Sequence, residues 1–291
     1  MVVATTSSAI PRSRAGRTHI IDVLIEERAP KLASSALWPL IRPPLYRFLD
    51  YGKAVRMADA IAPMGGRAAL DHCSELLSLK VETRFFERIP REGRVVVIAN
   101  HPTGIADGMA LYDALKAVRP DAVFFANSDA HRVCPGFVDA LIPVEWVEEK
   151  RTRERTRLTL NMTREAMDEG RALVIFPAGR IARRKKTGGF GDPEWAPTAF
   201  SVARKYDAPI APIHMTGPHS SLFHFFDRFS KELRDITLFH ELLNKRGGRF
   251  TLTAGPAVSP DKLPHDAAEA CARMKAYIER ELPADPQRAV P

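Results

Sequence analysis

The chain has 291 residues and 45% apolar content, which is enough to bury the core of one large domain. Its three cysteines are odd in number and far apart, so we expect free thiols in a reducing compartment and neither a disulfide framework nor a zinc site. The net charge of +8 favours an anionic partner, but no zinc-finger or RNA-binding signature accompanies it, so charge alone is weak support for nucleic acid.

The first part of the chain predicts a tail and a helical arm. Residues 1–17 are rich in Ser, Thr and Arg and are expected to form a disordered tail that lacks the apolar core of a secretory signal peptide. Residues 18–78 are expected to form the arm, beginning with an amphipathic helix at 18–28. No window reaches the ~18 apolar residues of a transmembrane helix, so membrane contact is expected to be peripheral or monotopic.

Residues 36–62 have the composition of an interfacial membrane helix. Aromatic and aliphatic side chains such as Trp38 and Phe48 are mixed with arginines, as in helices that lie in the bilayer surface. The prolines of the segment are expected to break it into pieces: Pro39, Pro43 and Pro44. An arm packed on the main domain fits the same composition, so both interpretations stay open.

From residue 79 onward, apolar strand-like runs alternate with segments of helical spacing. This alternation predicts an α/β domain over residues 79–291, with a mixed central sheet flanked by helices. The expected strands are 81–86, 95–99, 122–126, 140–144, 172–176, 209–214 and 250–254. The expected helices are 107–117, 152–169, 195–206 and 266–281.

Three of these strands end in side chains that can carry chemistry. Asn100 and His101 follow the strand 95–99, and the segment 177–180 follows the strand 172–176. His214 is the last residue of the strand 209–214. Because loops after the strands of such sheets hold ligands, we expect the three ends to converge on one site.

His101 and Asp107 are the candidate catalytic pair. A histidine followed by a carboxylate at a helix start can form a general base and the group that orients it. No serine or cysteine partner is evident, so direct activation of a substrate hydroxyl is the expected chemistry. Taken singly, Asp107 could be the N-cap of the next helix and His101 an ordinary core or surface histidine.

The second candidate site has the sequence VIFPAGRIARRKK. Gly179 permits close approach of the backbone, and the arginines that follow can bind a phosphate or another anionic headgroup. A solvated basic loop is the plainer interpretation, but its position directly after a buried strand favours binding.

The order NHPTGIADG, then FPAGR, then APIAPIHMTG resembles the glycerolipid acyltransferases, which include lysophosphatidate and glycerol-3-phosphate acyltransferases. The resemblance covers roughly residues 80–220. It implies that His101 deprotonates an acceptor hydroxyl with Asp107 as its partner, and that the hydroxyl attacks an acyl thioester of coenzyme A or acyl carrier protein. No metal and no cofactor beyond this co-substrate are implied. The residues expected to bind substrate lie in or near the motifs: Asn100, Arg132, Phe176, Pro177, Gly179, Arg180, Arg183 and Arg184, with Asn127 as a further contact and Pro212 as the proline of the last motif.

Two departures from the family pattern bear on the acceptor. Five residues separate His101 from Asp107, one more than usual, and this spacing resembles the hemolysin-like and ornithine-lipid-forming branch. Ala178 stands where the family has an acidic residue, and Arg180 follows Gly179 directly. The acceptor is therefore expected to be lysophosphatidate, a lyso-aminolipid or another monoacylated amphiphile.

The function predicted is acyl transfer from an acyl thioester to a lysolipid hydroxyl, in membrane phospholipid or related lipid biosynthesis. An anionic membrane surface is the expected partner, on the cytoplasmic face, and nucleic acid is not. Two alternatives stay open: a hydrolase of lipid esters or thioesters, and a non-catalytic basic module that binds a membrane or nucleic acid.

Overall fold

The structure is a computed structural model, and it describes residues 18–145, 151–185 and 188–290. The predicted disordered tail at 1–17 and Lys186 of the basic loop lie outside the described residues.

The centre of the molecule is a seven-stranded mixed sheet. The strands of the described residues are β1 (Lys80–Arg84), β2 (Val95–Ala99), β3 (Val123–Asn127), β4 (Leu141–Val144), β5 (Ala172–Ile175), β6 (Arg183–Arg184), β7 (Phe190–Gly191), β8 (Ile210–Thr216) and β9 (Arg249–Ala254). The sheet has the order β1-β9-β8-β2-β5-β3-β4, and β6 and β7 form a separate hairpin. Neighbours in the sheet are parallel except for the antiparallel pair β8 and β9. The predicted α/β class with a mixed central sheet is confirmed.

Helices cover both faces of this sheet. Those of the described residues are α1 (Ile20–Arg28), α2 (Pro30–Ala33), α3 (Trp38–Phe48), α4 (Tyr51–Ile61), α5 (Gly66–Leu77), α6 (Ile105–Leu115), α7 (Asp129–Val133), α8 (Arg153–Asp168), α9 (Thr198–Lys205), α10 (Ser221–Phe226), α11 (Lys231–Ile236), α12 (Leu238–Leu243), α13 (Ala267–Ala276) and α14 (Leu282–Ala284). A π-helical turn, Tyr277–Glu281, joins α13 to α14.

Alternate side chains of β2 build two separate apolar cores. Val95, Val97 and Ala99 pack with α1, α3 to α6, α11 and α12 on one face of the sheet. Val96 and Ile98 pack with α8, α9 and α13 on the other face. A strand buried on both faces is expected to be apolar throughout, which explains the uninterrupted run that made β2 easy to recognise. The parallel strands β2, β5 and β8 all end at the same edge of the sheet.

The expected strands and helices of the α/β domain agree with the structure, with most boundaries shifted by one to three residues and β2 unchanged. The short helices α7 and α14 were not predicted, and neither were the three consecutive short helices α10 to α12. Helices α10 to α12 lie in residues 217–248, where charged and apolar residues follow neither the period of a helix nor that of a strand over a useful length.

The expected break of residues 36–62 at its prolines is wrong. Pro39 sits in the first turn of α3, where its missing N–H would be unpaired anyway, and the helix continues through Pro43 and Pro44. The helix ends near Asp50, which has a left-handed backbone conformation with φ of 55° before α4 begins. Across the described part of the chain, no helix is both long enough and apolar enough to cross a bilayer.

Candidate active site

The loop after β2 brings His101 and Asp107 into direct contact. Nδ1 of His101 and Oδ2 of Asp107 are 2.9 Å apart. A carboxylate accepts hydrogen bonds, so we assign the proton of the neutral imidazole to Nδ1. Nε2 then carries a lone pair and can take a proton from a substrate. The predicted pair is therefore assembled in the geometry of a general base and its orienting group.

Asp107 is fully buried, and its carboxylate is satisfied by further donors of the same loop. The backbone N–H of Thr103 and that of Gly104 donate to Oδ2 at 2.8 and 3.0 Å. The hydroxyl of Thr103 donates to Oδ1 at 2.6 Å. Asp107 is the third residue of α6 and Gly104 is the N-cap, so the alternative reading of Asp107 as the N-cap is wrong. The carboxylate bonds backwards to the N-cap, as in a capping box.

Gly104 lets the loop approach the basic segment closely. Its φ is +97°, a conformation that L side chains rarely adopt. A Cβ at this position would lie 2.7 Å from Cδ1 of Ile181. Glycine is thus required both by the backbone conformation and by the contact between the two motifs.

The FPAGR motif packs directly against the imidazole. The ring of Phe176 stacks on that of His101, with 4.5 Å between centroids. The N–H of Gly179, whose φ is +57°, donates to the carbonyl of Phe176 and closes a tight turn. The N–H of Ala182 donates to the carbonyl of His101 at 2.9 Å, and that of Ala196 donates to the carbonyl of Pro177. Two of the predicted strand ends therefore form one site.

The three arginines of this segment have different environments. Arg180 and Arg184 are exposed. Arg183 is partly buried: its guanidinium lies 4.6 Å from the ring centroid of Phe223 and 3.9 Å from the carboxylate of Asp227. Burial lowers the pKa of Arg183, although Asp227 opposes this shift. Arg180 and Arg184 therefore face solvent near the site, whereas Arg183 ties the β6–β7 hairpin to α10.

Asp192 is a site residue that the sequence did not reveal. Its carboxylate accepts the backbone N–H of His101, with distances of 3.1 and 3.2 Å to the two oxygens. It also accepts the indole N–H of Trp195 at 3.0 Å. The only signal was an acidic residue in GDPEW, between the basic loop and the next helix, and such a residue is usually solvated.

Comparisons with known proteins show what this chain is similar to. Residues 80–216 match the family model described as Acyltransferase. The chain is 28% identical over 195 residues to a lyso-glycine lipid O-acyltransferase of Phocaeicola vulgatus, covering 65% of this chain and 68% of the relative. The protein of the same name from Bacteroides thetaiotaomicron is 26% identical over 195 residues, covering 65% and 70%. Over residues 80–216 the chain therefore resembles the glycerolipid acyltransferases. It is an acyltransferase.

The crystal structure of the 1-acyl-sn-glycerophosphate acyltransferase PlsC from Thermotoga maritima can also be superposed on this acyltransferase. The superposition has a TM-score of 0.48 and 14% sequence identity, and it covers 91% of this chain and 99% of that chain.

Asn100 connects the end of β2, next to His101, to the backbone of β8. Its amide group donates to the carbonyl of Met215 at 2.9 Å and accepts the N–H of Met215 at 2.7 Å. The side chain thus pairs with the backbone of β8 as a peptide group would. In this acyltransferase the side chain of Asn100 therefore adds two hydrogen bonds between the end of β2 and β8, directly before His101.

His214 does not take part in the site, so its predicted convergence with His101 is wrong. β8 continues to Thr216, and His214 lies within the strand. Its neighbours Ile213 and Met215 face the core of the helical arm, whereas Nδ1 of His214 contacts the carbonyl of Ile278 at 2.8 Å. Residues alternate across a strand, so His214 belongs to the opposite face.

Arg132 and Asn127 lie at the end of β3, in contacts that hold α7 in place. Arg132 forms a two-pronged ion pair with Glu27 of α1 at 2.8 and 2.9 Å, and a further contact with Asp129 at 3.1 Å. Asn127 accepts the N–H of Asp129 at 2.8 Å. Arg132 thus links α1 to α7, and its donors are engaged within the protein.

Proposed function

We propose that this chain is an O-acyltransferase that moves a fatty acyl group from an acyl thioester to the hydroxyl of a lysolipid. The observation that carries the proposal is the contact between Nδ1 of His101 and Asp107 at 2.9 Å, which leaves Nε2 free to accept a proton. Among the described residues, no hydrogen bond joins this imidazole to a serine or cysteine side chain. A base without a nucleophile of its own suits direct attack by the substrate hydroxyl.

In this mechanism Nε2 takes the proton of the acceptor hydroxyl as its oxygen attacks the thioester carbonyl. The resulting imidazolium is stabilised by Asp107, whose carboxylate is held in place by hydrogen bonds from Thr103 and Gly104. When the tetrahedral intermediate collapses, the C–S bond breaks and the imidazolium returns the proton to the thiolate. The ester forms without a covalent enzyme intermediate, and the histidine ends in its starting state.

The acceptor proposed is an anionic lysolipid whose headgroup binds Arg180 and Arg184. Both guanidinium groups are exposed beside the motif that stacks on His101. A guanidinium binds either a carboxylate or a phosphate with paired hydrogen bonds. The relatives' names favour a lyso-glycine lipid, and lysophosphatidate is the second source of the same chemistry. The donor is proposed to be acyl-CoA or an acylated carrier protein.

A labelled-donor assay tests the activity and the acceptor together. Radiolabelled acyl-CoA or acyl carrier protein is offered with a lyso-glycine lipid, with lysophosphatidate or with no acceptor, to the wild type and to His101→Ala. We expect label in a diacyl lipid only when an acceptor is present and only with the wild type. Free fatty acid as the sole product would identify a hydrolase, and undiminished transfer by His101→Ala would reject the proposed base.

We also propose that α3 contacts an anionic membrane surface. The exposed side chains Leu40, Ile41 and Phe48 of α3, with Leu37 at its N-cap, recur at helical spacing on one face, and Leu40 is 74% exposed. Arg47, Lys53 and Arg56 line a shallow cavity at the end of the helix, where they can meet lipid phosphates. The proposed location is the cytoplasmic face, in keeping with three free cysteines.

Point substitutions test this contact better than truncation, because Trp38, Tyr46 and Met57 of the same segment are buried in the core. Leu40→Glu/Ile41→Glu is expected to weaken co-sedimentation with anionic vesicles by about tenfold or more. Val138→Glu is the matched control, because Val138 is also exposed but lies outside α3. Unchanged co-sedimentation of the double variant would exclude α3 as the contact.

A further inference from the structure

Two segments that are distant in sequence hold the backbone of His101. Its carbonyl accepts the N–H of Ala182, and its N–H donates to the carboxylate of Asp192, 91 residues away in the chain. We infer that Asp192 is a positioning residue for acyl transfer, which holds the backbone of His101 while Asp107 holds its ring. This inference rests on the proposed function, in which His101 is the base.

The carboxylate of Asp192 is placed to act through His101 and not on the substrate. The residue is 5% exposed, and both oxygens face donors: the N–H of His101 and the indole N–H of Trp195. Its own N–H donates to the carboxylate of Glu279 at 2.7 Å. A substrate hydroxyl therefore has no open path to this carboxylate, and Asp192 is a positioning residue rather than a second base.

Burying a carboxylate costs free energy, because the charged form loses its hydration. This cost suggests that the negative charge of Asp192 has a role beyond accepting a hydrogen bond from the loop. Burial raises the pKa of Asp192 to about 6, although the hydrogen bond from the backbone N–H of His101 opposes the shift. A neutral acceptor such as an amide could satisfy one N–H at lower cost. An anion next to His101, however, also favours the imidazolium that forms when Nε2 takes a proton.

The support of Asp192 continues to the basic hairpin. Glu279, which accepts the N–H of Asp192, also accepts a hydrogen bond from Nζ of Lys185 at 3.0 Å. Lys185 follows β6, so the segment that carries Arg184 is joined through Glu279 and Asp192 to the backbone of His101. The titratable groups that face Asp192 are His101 and Glu279, and Lys185 contacts Glu279 but not Asp192.

Asp192→Asn tests the inference, with Trp195→Phe as the matched control. The amide can accept at one oxygen only, and its NH₂ group faces donors, so the bond to His101 is weakened while the side chain keeps its size. We expect kcat to fall about 10- to 100-fold, with KM for donor and acceptor changed by less than about twofold. Trp195→Phe keeps the bond between Asp192 and His101 and is expected to keep kcat within about threefold.

Amide hydrogen exchange supplies a readout that does not depend on activity. The His101 N–H is expected to exchange faster in Asp192→Asn than in the wild type and in Trp195→Phe, since it loses its acceptor. Wild-type kcat in a folded Asp192→Asn protein, or unchanged exchange at His101, would overturn the inference. Full activity of His101→Ala would instead reject the proposed function, and the exchange result would still report on the contact between Asp192 and His101.

Discussion

Oδ2 of Asp107, in the first turn of α6, lies 2.9 Å from Nδ1 of His101 in the preceding loop. The five residues between them are long enough for Thr103 and Gly104 to direct their N–H groups at the same oxygen. The extra residue of spacing therefore does not separate the pair. It gives the carboxylate additional donors, which fix its position.

Removing the charge of Asp107 is expected to abolish most of the activity. In Asp107→Asn the amide can turn its NH₂ group toward Nδ1, which favours the wrong tautomer of His101. We expect kcat to fall about 10²- to 10⁴-fold, as for bases that lose their orienting carboxylate. Steady-state kinetics with labelled acyl thioester measures the loss, and a thermal unfolding curve checks that the variant is folded. A fall below tenfold in a folded variant would contradict the role given to Asp107.

Gly104→Ala is expected to destabilise the protein by about 2 kcal/mol and to lower kcat, because an L side chain is strained at φ of +97° and its Cβ meets Ile181. Denaturant unfolding measures the stability. The double variant Gly104→Ala/Ile181→Ala separates the causes, since it removes the clash and keeps the backbone strain. It should be more stable than the sum of the two single changes predicts, and strict additivity would show that the contact is irrelevant.

The arginines are expected to act on acceptor binding and not on the chemical step. Arg180→Ala and Arg184→Ala should each raise KM for the acceptor about 10- to 150-fold, since a charged hydrogen bond contributes about 1.5–3 kcal/mol, and leave KM for the thioester unchanged. Arg132→Ala is the control, because the donors of Arg132 are engaged by Glu27 and Asp129. A raised acceptor KM in this control would mean that Arg132 also reaches the substrate.

The pH dependence of stability provides a separate test of Asp192. Its pKa is raised to about 6 in the folded protein, above the ordinary value of 3.8, so the folded state binds the proton more tightly than the unfolded state does. The group therefore favours folding most when it is protonated, and this contribution is lost as the pH rises through about 4 to 6. The stability of the wild type relative to Asp192→Asn should increase when the pH is lowered from 7 to 5.

Urea unfolding of both proteins at pH 5, 6 and 7 measures this difference. Glu92→Gln, a change in an exposed loop, serves as the control and should give a difference that varies little over the same range. A wild-type advantage that shrinks on acidification would contradict the direction of the pKa shift.

The buried ion pair between Glu241 of α12 and Lys245, which follows the helix, should be important for stability. Glu241 and Lys245 are each 2% exposed in their side chains and lie 2.7 Å apart, and Glu241 also accepts the N–H of Phe223. Glu241→Ala leaves a buried ammonium group with few acceptors, and we expect a loss of about 3–5 kcal/mol in the free energy of unfolding. Glu269→Ala, which breaks an exposed ion pair with Arg273, should lose about 1 kcal/mol or less.

The sequence by itself determined the seven strands of the central sheet and the longer helices of the α/β domain. Strands buried on both faces are continuous apolar runs, and the apolar residues of amphipathic helices recur every three to four positions. It also identified His101 and Asp107, whose contact is local. The contacts that complete the site join residues about a hundred positions apart, as from Asn100 to Met215 and from His101 to Asp192. Asn100 was expected to bind substrate, and only the packing shows that its amide pairs with β8 instead. Asp192 has no local pattern that distinguishes it from a solvated acidic residue, so only the tertiary structure assigns it.

The tertiary structure likewise decided which cations are available. Arg132 and Arg180 were both expected from the sequence to bind substrate. In the structure Arg132 is engaged in ion pairs with Glu27 and Asp129, whereas Arg180 is exposed beside the site. It also decided that α3 continues through its prolines, since packing of Trp38 and Tyr46 in the core outweighs the hydrogen bonds lost there. Burial and ion pairing depend on neighbours that the chain supplies from far away, and these are the properties that local sequence does not contain.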